Sequence, residues 1–508
     1  MFYQLLFSFL LFIIPLFFFI LITKSSKIKE SSSSPTPTAN NIIPKSYPFV
    51  GTFFAFFANL DRNIQWLTEI LQNSPSATFA LKNLNTVLVI TANPANVQHI
   101  LKTQFHNYPK GNYFRTSLFD FLGDGIFNAD GSNWKFQRQV SSHEFNTKSL
   151  RKFIETVVES EISDRLIPIL SAAAANKTVL DFQDILQRFA FDNICNIAFG
   201  YDPHYLLPSL PQADIAQAFD DAVQISGERL RHPLPIIWKM KRLLNIGSSE
   251  KRLQVAISQV NEFAQNIIKE KKNALKENPS AESMDLLSRF LSSGHYDDKF
   301  VRDIVISFTL AGRDTTSAAL TWLFWLLNRN PEAEEQILNE IKEKSDSSIF
   351  EDIKHMVFTH ASLCEAMRFY PPVPVDSKLA ENDDVWPDGT VIKKGTRAVY
   401  HPYAMGRMES IWGSDWAEYK PERWLKREDD EWIFVGRDPY TYPVFQAGPR
   451  ICLGKDMSFL QMKRIVAEVL SRFKVIPATE EGFEPEFIGF LTAKMKGGFP
   501  VRIEERIE

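Results

Sequence analysis

The stretch Phe445-Gln446-Ala447-Gly448-Pro449-Arg450-Ile451-Cys452-Leu453-Gly454 decides how this chain of 508 residues is interpreted. Apolar residues recur at helical spacing from Lys455 to Phe473, so we expect Cys452 to lie at or just before a helix N-terminus. The dipole of that helix favours a deprotonated thiol. An isolated cysteine is more often a small buried side chain, which is what we expect of Cys195 and Cys364. Cys452 differs from them because its neighbours suit a ligand.

Four neighbours of Cys452 are suited to a flat, anionic cofactor. Gly448 and Gly454 allow the backbone to turn tightly and to approach a macrocycle without a Cβ in the way. Arg450 is a permanent cation that can bind a haem propionate. Phe445 can pack beside the sulfur and exclude water. Together these residue types predict a haem iron held by the Cys452 thiolate.

The complete pattern, Phe-x-x-Gly-x-Arg-x-Cys-x-Gly, resembles the signature of the cytochrome P-450 family of haem-thiolate monooxygenases at each fixed position. With the motifs below, the resemblance covers the chain from about residue 45 to its C-terminus. It implies a mainly α fold with a small β region, formed by one catalytic domain over residues 49–508. It also implies haem b as the cofactor, with Cys452 as the axial metal ligand.

A second motif, Ala311-Gly312-Arg313-Asp314-Thr315-Thr316, lies in an apolar segment from Val301 to Asn330, which we predict to be one long buried helix. The resemblance implies that Gly312 leaves room for dioxygen. It also implies that Asp314 and Thr315 are catalytic, because an acid and a hydroxyl can relay protons during O–O cleavage. The alternative is that the threonines only bond back to carbonyls one turn earlier.

A charged triad is implied by Glu365 and Arg368, which precede Pro371-Pro372, together with Arg423. Such pairs are usually solvated. In the family they are buried, so we expect these three residues to support the haem-binding scaffold and to take no catalytic step.

Two further segments match family positions that contact the haem propionates. Trp134 and Arg138 are four residues apart and so share one helix face. Lys378 stands where relatives often carry an arginine, and a lysine offers a point charge instead of a fork. We expect all three residues to bind the cofactor.

No nicotinamide or flavin motif is present, since Gly123-Asp-Gly125 lacks a third glycine. Electrons are therefore expected from NADPH through a separate cytochrome P-450 reductase. A basic cluster is either the surface on which an acidic reductase docks or an ordinary solvated face; it comprises Lys135, Arg138, Lys455, Lys463 and Arg464. The net charge of −4 gives no indication of nucleic-acid binding.

Residues 1–23 are almost wholly apolar and long enough to cross a bilayer, and Lys24, Lys27 and Lys29 follow them. We predict a single-pass signal-anchor in the endoplasmic reticulum membrane, with the catalytic domain facing the cytosol. Residues 24–48 are predicted to be a linker with a proline hinge. The proline-broken segment from His232 to Trp238 suits a lid that contacts membrane lipid, although a buried loop fits as well.

Four segments resemble plant fatty-acid omega-hydroxylases: 134–145, 181–189, 199–202 and 443–448. This resemblance implies hydroxylation of a fatty acid at its terminal carbon. A sister group oxidises a jasmonoyl-amino acid hormone conjugate, and both substrates pair an apolar tail with a distant carboxylate. The residues expected to shape a narrow channel over the haem are Phe308, Ala311, Val373, Val375, Phe490 and Leu491.

Two other functions fit the same fold. A hydroperoxide isomerase or dehydratase needs neither reductase nor proton relay, and a haem-based sensor has no use for an acid beside a threonine. The pair Asp314 and Thr315 argues against both.

Overall fold

The structure is a computed structural model that describes residues 44–506, apart from 46, 48–50, 84–85, 146, 212–213, 233, 278–284, 294–296, 344–348, 430 and 481. The described residues form a compact, mainly helical unit with a small β region, as the sequence predicted. The predicted anchor and most of the predicted linker lie outside the described residues. Within the described part of the chain, no helix is long and apolar enough to cross a membrane.

The α-helices follow one another along the whole unit. In chain order they are α1 (Phe53–Ala58), α2 (Asn63–Gln72), α3 (Pro94–Gln98), α4 (Gly111–Leu122), α5 (Gly131–Ser142), α6 (Thr147–Lys152), α7 (Glu159–Glu161), α8 (Ile167–Asn176), α9 (Phe182–Phe199), α10 (Asp214–Arg231), α11 (Pro235–Leu244), α12 (Ser248–Glu277), α13 (Leu286–Ser292), α14 (Asp298–Arg329), α15 (Pro331–Lys342), α16 (Ile349–Lys354), α17 (Val357–Phe369), α18 (Pro402–Met405), α19 (Glu409–Trp412) and α20 (Lys455–Arg472).

The strands are short. They are β1 (Thr78–Asn83), β2 (Thr86–Thr91), β3 (Leu180–Asp181), β4 (Asp376–Leu379), β5 (Asp384–Val385), β6 (Val391–Ile392), β7 (Arg397–Tyr400), β8 (Leu425–Glu428), β9 (Glu431–Phe434), β10 (Phe473–Pro477), β11 (Phe487–Gly489), β12 (Ala493–Met495) and β13 (Pro500–Glu505). The largest sheet has the order β1-β2-β7-β4, with β2 and β7 parallel and the other pairs antiparallel.

Helix α14 forms the centre of the larger hydrophobic cluster, and its bounds agree with the helix predicted from Val301 to Asn330. It starts three residues earlier because the Asp297 side chain accepts a hydrogen bond of 2.9 Å from the Phe300 N–H. It ends before Pro331, which opens α15.

The contact between α14 and α9 explains the glycine of α14. A Cβ at Gly312 would collide with the side chain of Ile194 on α9. The absence of a side chain at Gly312 therefore lets the two helices approach closely. The sequence predicted only that Gly312 leaves room for dioxygen. Close packing of the two helices is a second physical reason for a glycine at this position.

Two faces of the large sheet have different surroundings because side chains alternate along each strand. Asp376 of β4 is paired with Tyr400 of β7, and Leu379 of β4 is paired with Arg397 of β7. Asp376 and Lys378 therefore share one face, while Ser377 and Arg397 share the other. A hydrogen bond of 3.3 Å from the Arg397 guanidinium to Ser377 Oγ agrees with this arrangement.

Candidate active site

The loop that carries Cys452 folds back on itself just before α20. The Cys452 N–H donates to the Phe445 carbonyl at 2.8 Å, and α20 begins at Lys455 with Gly454 as its N-cap. Gly448 has φ of +64°, and a Cβ there would collide with the Leu101 carbonyl, so this position needs glycine. The loop thus places the sulfur beside the helix N-terminus, where the sequence predicted it.

Cys452 is the exposed one of the three cysteines, whereas Cys195 and Cys364 are buried. Burial by the surrounding loop still raises the pKa of the Cys452 thiol, while the Gly454 N–H and the Arg138 guanidinium oppose that rise. A metal cation would therefore be needed to hold the sulfur as a thiolate. A Cβ at Gly454 would lie 3.9 Å from Cys452 Sγ, so glycine keeps the flank of the sulfur open.

Helix α5 brings two more of the predicted residues to this loop. Arg138 donates to the Ile451 carbonyl, next to Cys452. Trp134 is buried, and the Arg450 guanidinium lies 4.5 Å from the centroid of its ring. Arg450 also donates to an Asp130 carboxylate oxygen at 2.7 Å.

Lys378 lies in a buried charge cluster that the sequence did not predict. Its Nζ donates to Asp376 Oδ2 at 2.9 Å, and Lys110 Nζ donates to both oxygens of the same carboxylate at 2.8 and 3.0 Å. The hydroxyl of Tyr400 donates to Asp376 at 2.8 Å, and the Gln446 amide does so at 3.2 Å.

This cluster contains more positive than negative charge. Burial lowers the pKa of Lys378 to about 7, and Lys110 and Arg450 contribute to that decrease while Asp376 opposes it. One carboxylate therefore serves two lysines, with a third cation close enough to act on them. A further anionic group would restore the balance.

These observations fit a haem group. Iron would be the metal that the thiol needs, and the open flank beside the thiol leaves room for a flat porphyrin. The surplus of buried cations matches the two propionates. Cys452 would ligate the iron. The cations that would bind the propionates are Arg138, Arg450, Lys110 and Lys378.

The central turn of α14 faces an internal opening. From residue 303 to residue 327 all residues are buried except Ala311, Gly312 and Thr315, which are spaced to lie on one helix face. The Thr315 hydroxyl donates to the Ala311 carbonyl at 2.7 Å. The hydrogen bond to a carbonyl one turn earlier, which the sequence offered as an alternative, is thus formed. The Thr315 oxygen can still accept a hydrogen bond from another group.

Asp314 points to a different set of partners. Its Oδ1 accepts from Arg313 at 2.9 Å, and its Oδ2 accepts from the Thr492 hydroxyl at 2.8 Å. Arg313 also donates to Asp220 of α10 at 2.8 Å. The carboxylate of Asp314 is therefore held between α14 and the C-terminal turn.

Glu365 and Arg368 form a bidentate pair at 2.8 and 2.9 Å, and both side chains are fully buried. Arg423 Nε donates to Glu365 at 3.3 Å, and the Trp424 indole donates to its other oxygen at 2.9 Å. Arg368 also donates to the carbonyls of residues 406, 416 and 418. The triad thus fastens α17 to the segment that leads to the cysteine loop.

The apolar residues expected over the haem differ in how far they are buried. Phe308 is buried in the large cluster, and Val375, Phe490 and Leu491 are partly buried against it. Ala311 and Val373 are also partly buried. A Cβ at Gly227 of α10 would lie 3.0 Å from backbone atoms of the turn at residues 490 and 491, so that turn is pressed against α10.

The predicted basic cluster is wrong for two of its members. Lys463 is only 3% exposed and donates to the Lys354 carbonyl at 3.1 Å. Arg464 is paired with Glu159 at 2.6 and 2.8 Å. Both residues lie on the inner side of α20, where helical periodicity buries them. Lys135 and Lys455 are exposed.

Sequence reasoning missed Lys110, Asp376 and Thr492. Lys110 is 266 residues from its partner Asp376, and Thr492 is 178 residues from Asp314. No local pattern connects such pairs. Asp376 could have been found, because it stands two residues before Lys378 and therefore shares a strand face with it.

Comparison with known proteins identifies the family. A family model described as Cytochrome P450 matches residues 43–500. Cytochrome P450 94A1 of Vicia sativa is 61% identical over 472 residues, which cover 92% of each chain. Cytochrome P450 94A2 of Vicia sativa is 59% identical over 504 residues and 98% of each chain. Cytochrome P450 94B1 of Arabidopsis thaliana is 47% identical over 507 residues, 98% of this chain and 97% of its own length.

The predicted family is therefore confirmed, and with it haem-thiolate iron and an external supply of electrons. The family model covers most of the chain, and the cysteine loop, the long helix and the cation cluster are all present. This protein therefore belongs to the cytochrome P450 family of monooxygenases.

Proposed function

We propose that this monooxygenase hydroxylates fatty acids at the terminal carbon, with dioxygen and with electrons from NADPH through a separate reductase. The observation that carries the proposal is an apolar wall formed by one side chain of α14 and by two partly buried side chains that pack against the same cluster. Phe308, Val375 and Phe490 belong to one apolar cluster, and the last two keep accessible surface within it. Such a wall favours an apolar tail and excludes water.

The residues of the chain have separable roles in this reaction. When bound, the haem supplies the activation of dioxygen for insertion of one oxygen atom into a C–H bond. Cys452 holds the cofactor through its thiolate. We propose that Thr315, whose hydroxyl lies on the open face of α14, and Asp314, one residue away and held by Arg313 and Thr492, relay protons to that face.

Terminal attack needs positioning by the protein. Internal C–H bonds of a saturated fatty acid are weaker than those of the methyl group, so the tail must be held end-on and its neighbouring methylenes excluded. Phe490 and Leu491 suit this role because their turn is pressed against Gly227 and is fastened to α14 through Thr492.

Phe490→Ala should shift the products of lauric acid toward in-chain alcohols, because it removes a ring from the wall while leaving the cysteine loop intact. The change is expected to be severalfold in product ratio, at unchanged haem content per protein. Phe483→Ala is a control that removes the same ring elsewhere, since Phe483 is exposed and packs against Trp325. Wild-type protein that formed mainly mid-chain alcohols would defeat end-on binding before any variant was made.

Membrane lipid is proposed as a second partner. Helix α11 buries Trp238 but exposes apolar side chains beside Lys239 and Lys241, and these side chains are Ile236, Ile237, Met240, Leu243 and Leu244. An apolar face with flanking lysines favours the surface of an anionic bilayer. We place the protein in the endoplasmic reticulum membrane through residues 1–23, with the catalytic domain facing the cytosol.

One assay separates this function from its rivals. Consumption of NADPH with reductase and lauric acid, together with formation of hydroxylated acid, supports the proposal. Turnover of a fatty-acid hydroperoxide without reductase would favour an isomerase or dehydratase. Turnover of a jasmonoyl-amino acid conjugate, but of no free fatty acid in a chain-length panel, would favour the hormone conjugate. Absence of turnover with all substrates would leave a haem-based sensor.

A further inference from the structure

Arg397, the first residue of β7, is a guanidinium deep in the protein without a carboxylate partner among the described residues. Among the described residues, its five N–H donors meet the hydroxyl oxygens of Ser377, at 3.3 Å, and of Tyr113, and no carboxylate. Burial lowers the pKa of Arg397. The residue nevertheless keeps part of its surface accessible, so an anion can still reach it.

Two other buried arginines of this chain are paired with carboxylates. Arg313 contacts Asp220 and Asp314, and Arg368 contacts Glu365. A buried guanidinium that lacks a carboxylate is a candidate partner for an anionic ligand, because a charge removed from water is stabilised by an opposite charge. Arg397 is such a guanidinium, and it lies on the face of the large sheet opposite to Lys378 and its partner Lys110.

Tyr113 of α4 closes one side of this position. The Arg397 guanidinium lies 4.1 Å from the centroid of the Tyr113 ring, and the Tyr113 hydroxyl donates to the Leu230 carbonyl at 3.1 Å. Helix α4, the end of α10 and strand β7 therefore meet at this point. The Tyr113 hydroxyl already donates its proton to Leu230, so an oxygen anion placed there would be bound by the N–H donors of Arg397, with the Tyr113 ring holding the guanidinium in position.

The distance from the proposed methyl end suits a fatty acid. Leu379 is the strand partner of Arg397, and Val375, which is proposed to line the channel over the haem, lies four residues before it. At a rise of about 3.3 Å per residue, about 13 Å of extended chain separates the two positions. A medium-chain acid has a length of that order.

We infer that Arg397, with Tyr113 and Ser377 beside it, binds the carboxylate of the substrate and so fixes which end of the chain reaches the haem. This inference rests on the proposed function and restricts its substrates. Substrates should be acids with a long apolar tail, and esters or hydrocarbons of the same length should bind poorly.

The test compares lauric acid with methyl laurate, which has the same tail and no charge, on the full-length haem-loaded protein. Binding is followed by the change in haem absorption on titration. We expect wild-type protein to bind the acid at least about tenfold more tightly than the ester. Arg397→Gln should weaken binding of the acid by at least about tenfold and change binding of the ester less than twofold.

Three variants make the assignment specific. Arg397→Lys keeps the charge without the fork and should restore part of the affinity for the acid. Tyr113→Phe keeps the ring and should cause a smaller, acid-specific loss. Arg231→Gln is the matched control, because Arg231 is also buried without an ion-pair partner among the described residues and lies 5.3 Å from the Phe490 ring. It should affect both ligands alike.

Several results would overturn the inference. Equal weakening of acid and ester by Arg397→Gln would make the arginine structural. An acid-specific loss in Arg231→Gln alone would move the subsite to that residue. If Arg397→Gln does not retain haem, wild-type protein that hydroxylates lauric acid but binds acid and ester equally would refute the subsite while leaving the proposed function intact. Wild-type protein that neither binds nor hydroxylates lauric acid would refute the proposed function itself.

Discussion

Cys452 shows how far one side chain depends on its cofactor. The loop provides an N–H donor and a nearby arginine, but burial still raises the pKa of the thiol. The helix N-terminus does not offset the effect of burial on this pKa, and a bound iron cation would favour the thiolate. The thiolate form of Cys452 would therefore depend on the iron atom that it binds.

Cys452→Ser should abolish the red-shifted absorption band of the reduced carbon monoxide complex and all turnover, because a neutral hydroxyl cannot replace the thiolate. Cys195→Ala is the control, since Cys195 is fully buried away from the loop and should leave the band unchanged. A serine variant that retained the band would refute the ligand assignment.

Thr315 is one of several hydroxyls on α14 that bond back to a carbonyl. Thr309 donates to the Val305 carbonyl at 2.9 Å in the same way as Thr315 donates to Ala311. The two differ in surroundings, since Thr309 is fully buried and Thr315 is on the open face. Any effect of the back-bond alone should be common to both.

Thr315→Ala should retain haem and substrate binding but divert a large part of the electrons to hydrogen peroxide, because proton delivery to the reacting oxygen is disturbed. The ratio of product to NADPH consumed measures this coupling and should fall severalfold. Thr309→Ala should leave the ratio close to the wild-type value. Equal coupling in the Thr315 variant and in wild-type protein would place the relay elsewhere.

At the scale of elements, a group of acids joins α7 to α9 and to the loop after it. Arg165 donates to Glu161 at 2.9 Å, to Asp192 at 3.2 Å and to Asp202 at 3.1 Å. One guanidinium thus serves three carboxylates. Burial and the neighbouring Asp192 raise the pKa of Glu161 to about 8.

The stability of the protein should therefore fall as pH rises from about 4.5 to about 8. In that interval folded Glu161 keeps a proton that the unfolded chain has lost, so proton release favours unfolding. Glu161→Gln, a neutral side chain of the same shape, should remove this decline and stabilise the protein at pH 8 by about 1–3 kcal/mol.

Unfolding by urea at pH 5, 6.5 and 8 measures the effect. Glu155→Gln is the control, because Glu155 lies nearby on the same helical run, is partly exposed and should leave the pH dependence unchanged. An identical pH slope in wild-type and Glu161→Gln protein would contradict the raised pKa of Glu161.

Elements with a local signal could be predicted from the sequence, and contacts between distant elements could not. The long helix was predicted from its apolar run and from Pro331, and it differs at its start by a cap at Asp297. The helix after Cys452 also has the predicted start. The role of Lys378 depends on Lys110, and burial of Lys463 depends on α16. Neither fact can be read from neighbours in sequence.

At the scale of the whole molecule, two apolar regions are proposed to meet the membrane: residues 1–23 and the exposed face of α11. Leu243 is 78% exposed, which is unusual for a side chain that contacts only water. The catalytic unit would then stay at the bilayer surface, where lipid-soluble acids collect.

Removal of Met1 to Lys29 should give a protein that still binds haem but associates less with membranes, because the cysteine loop and its partners lie entirely beyond residue 44. Leu243→Glu combined with Leu244→Glu should reduce the remaining association with anionic vesicles severalfold in a flotation assay. Loss of haem on truncation would show that the removed segment belongs to the folded core.

The alternation of side chains along β4 and β7 has a consequence for how this protein tolerates insertions. Asp376 and Lys378 on one face are proposed to serve the cofactor, while Ser377 and Arg397 on the other are proposed to serve the substrate. An inserted residue that moved the register of β4 by one would exchange the faces of the β4 side chains and leave Arg397 of β7 in place. Lys378 would then turn away from the proposed propionate site and toward the proposed carboxylate site, so one inserted residue would impair cofactor retention and substrate choice together.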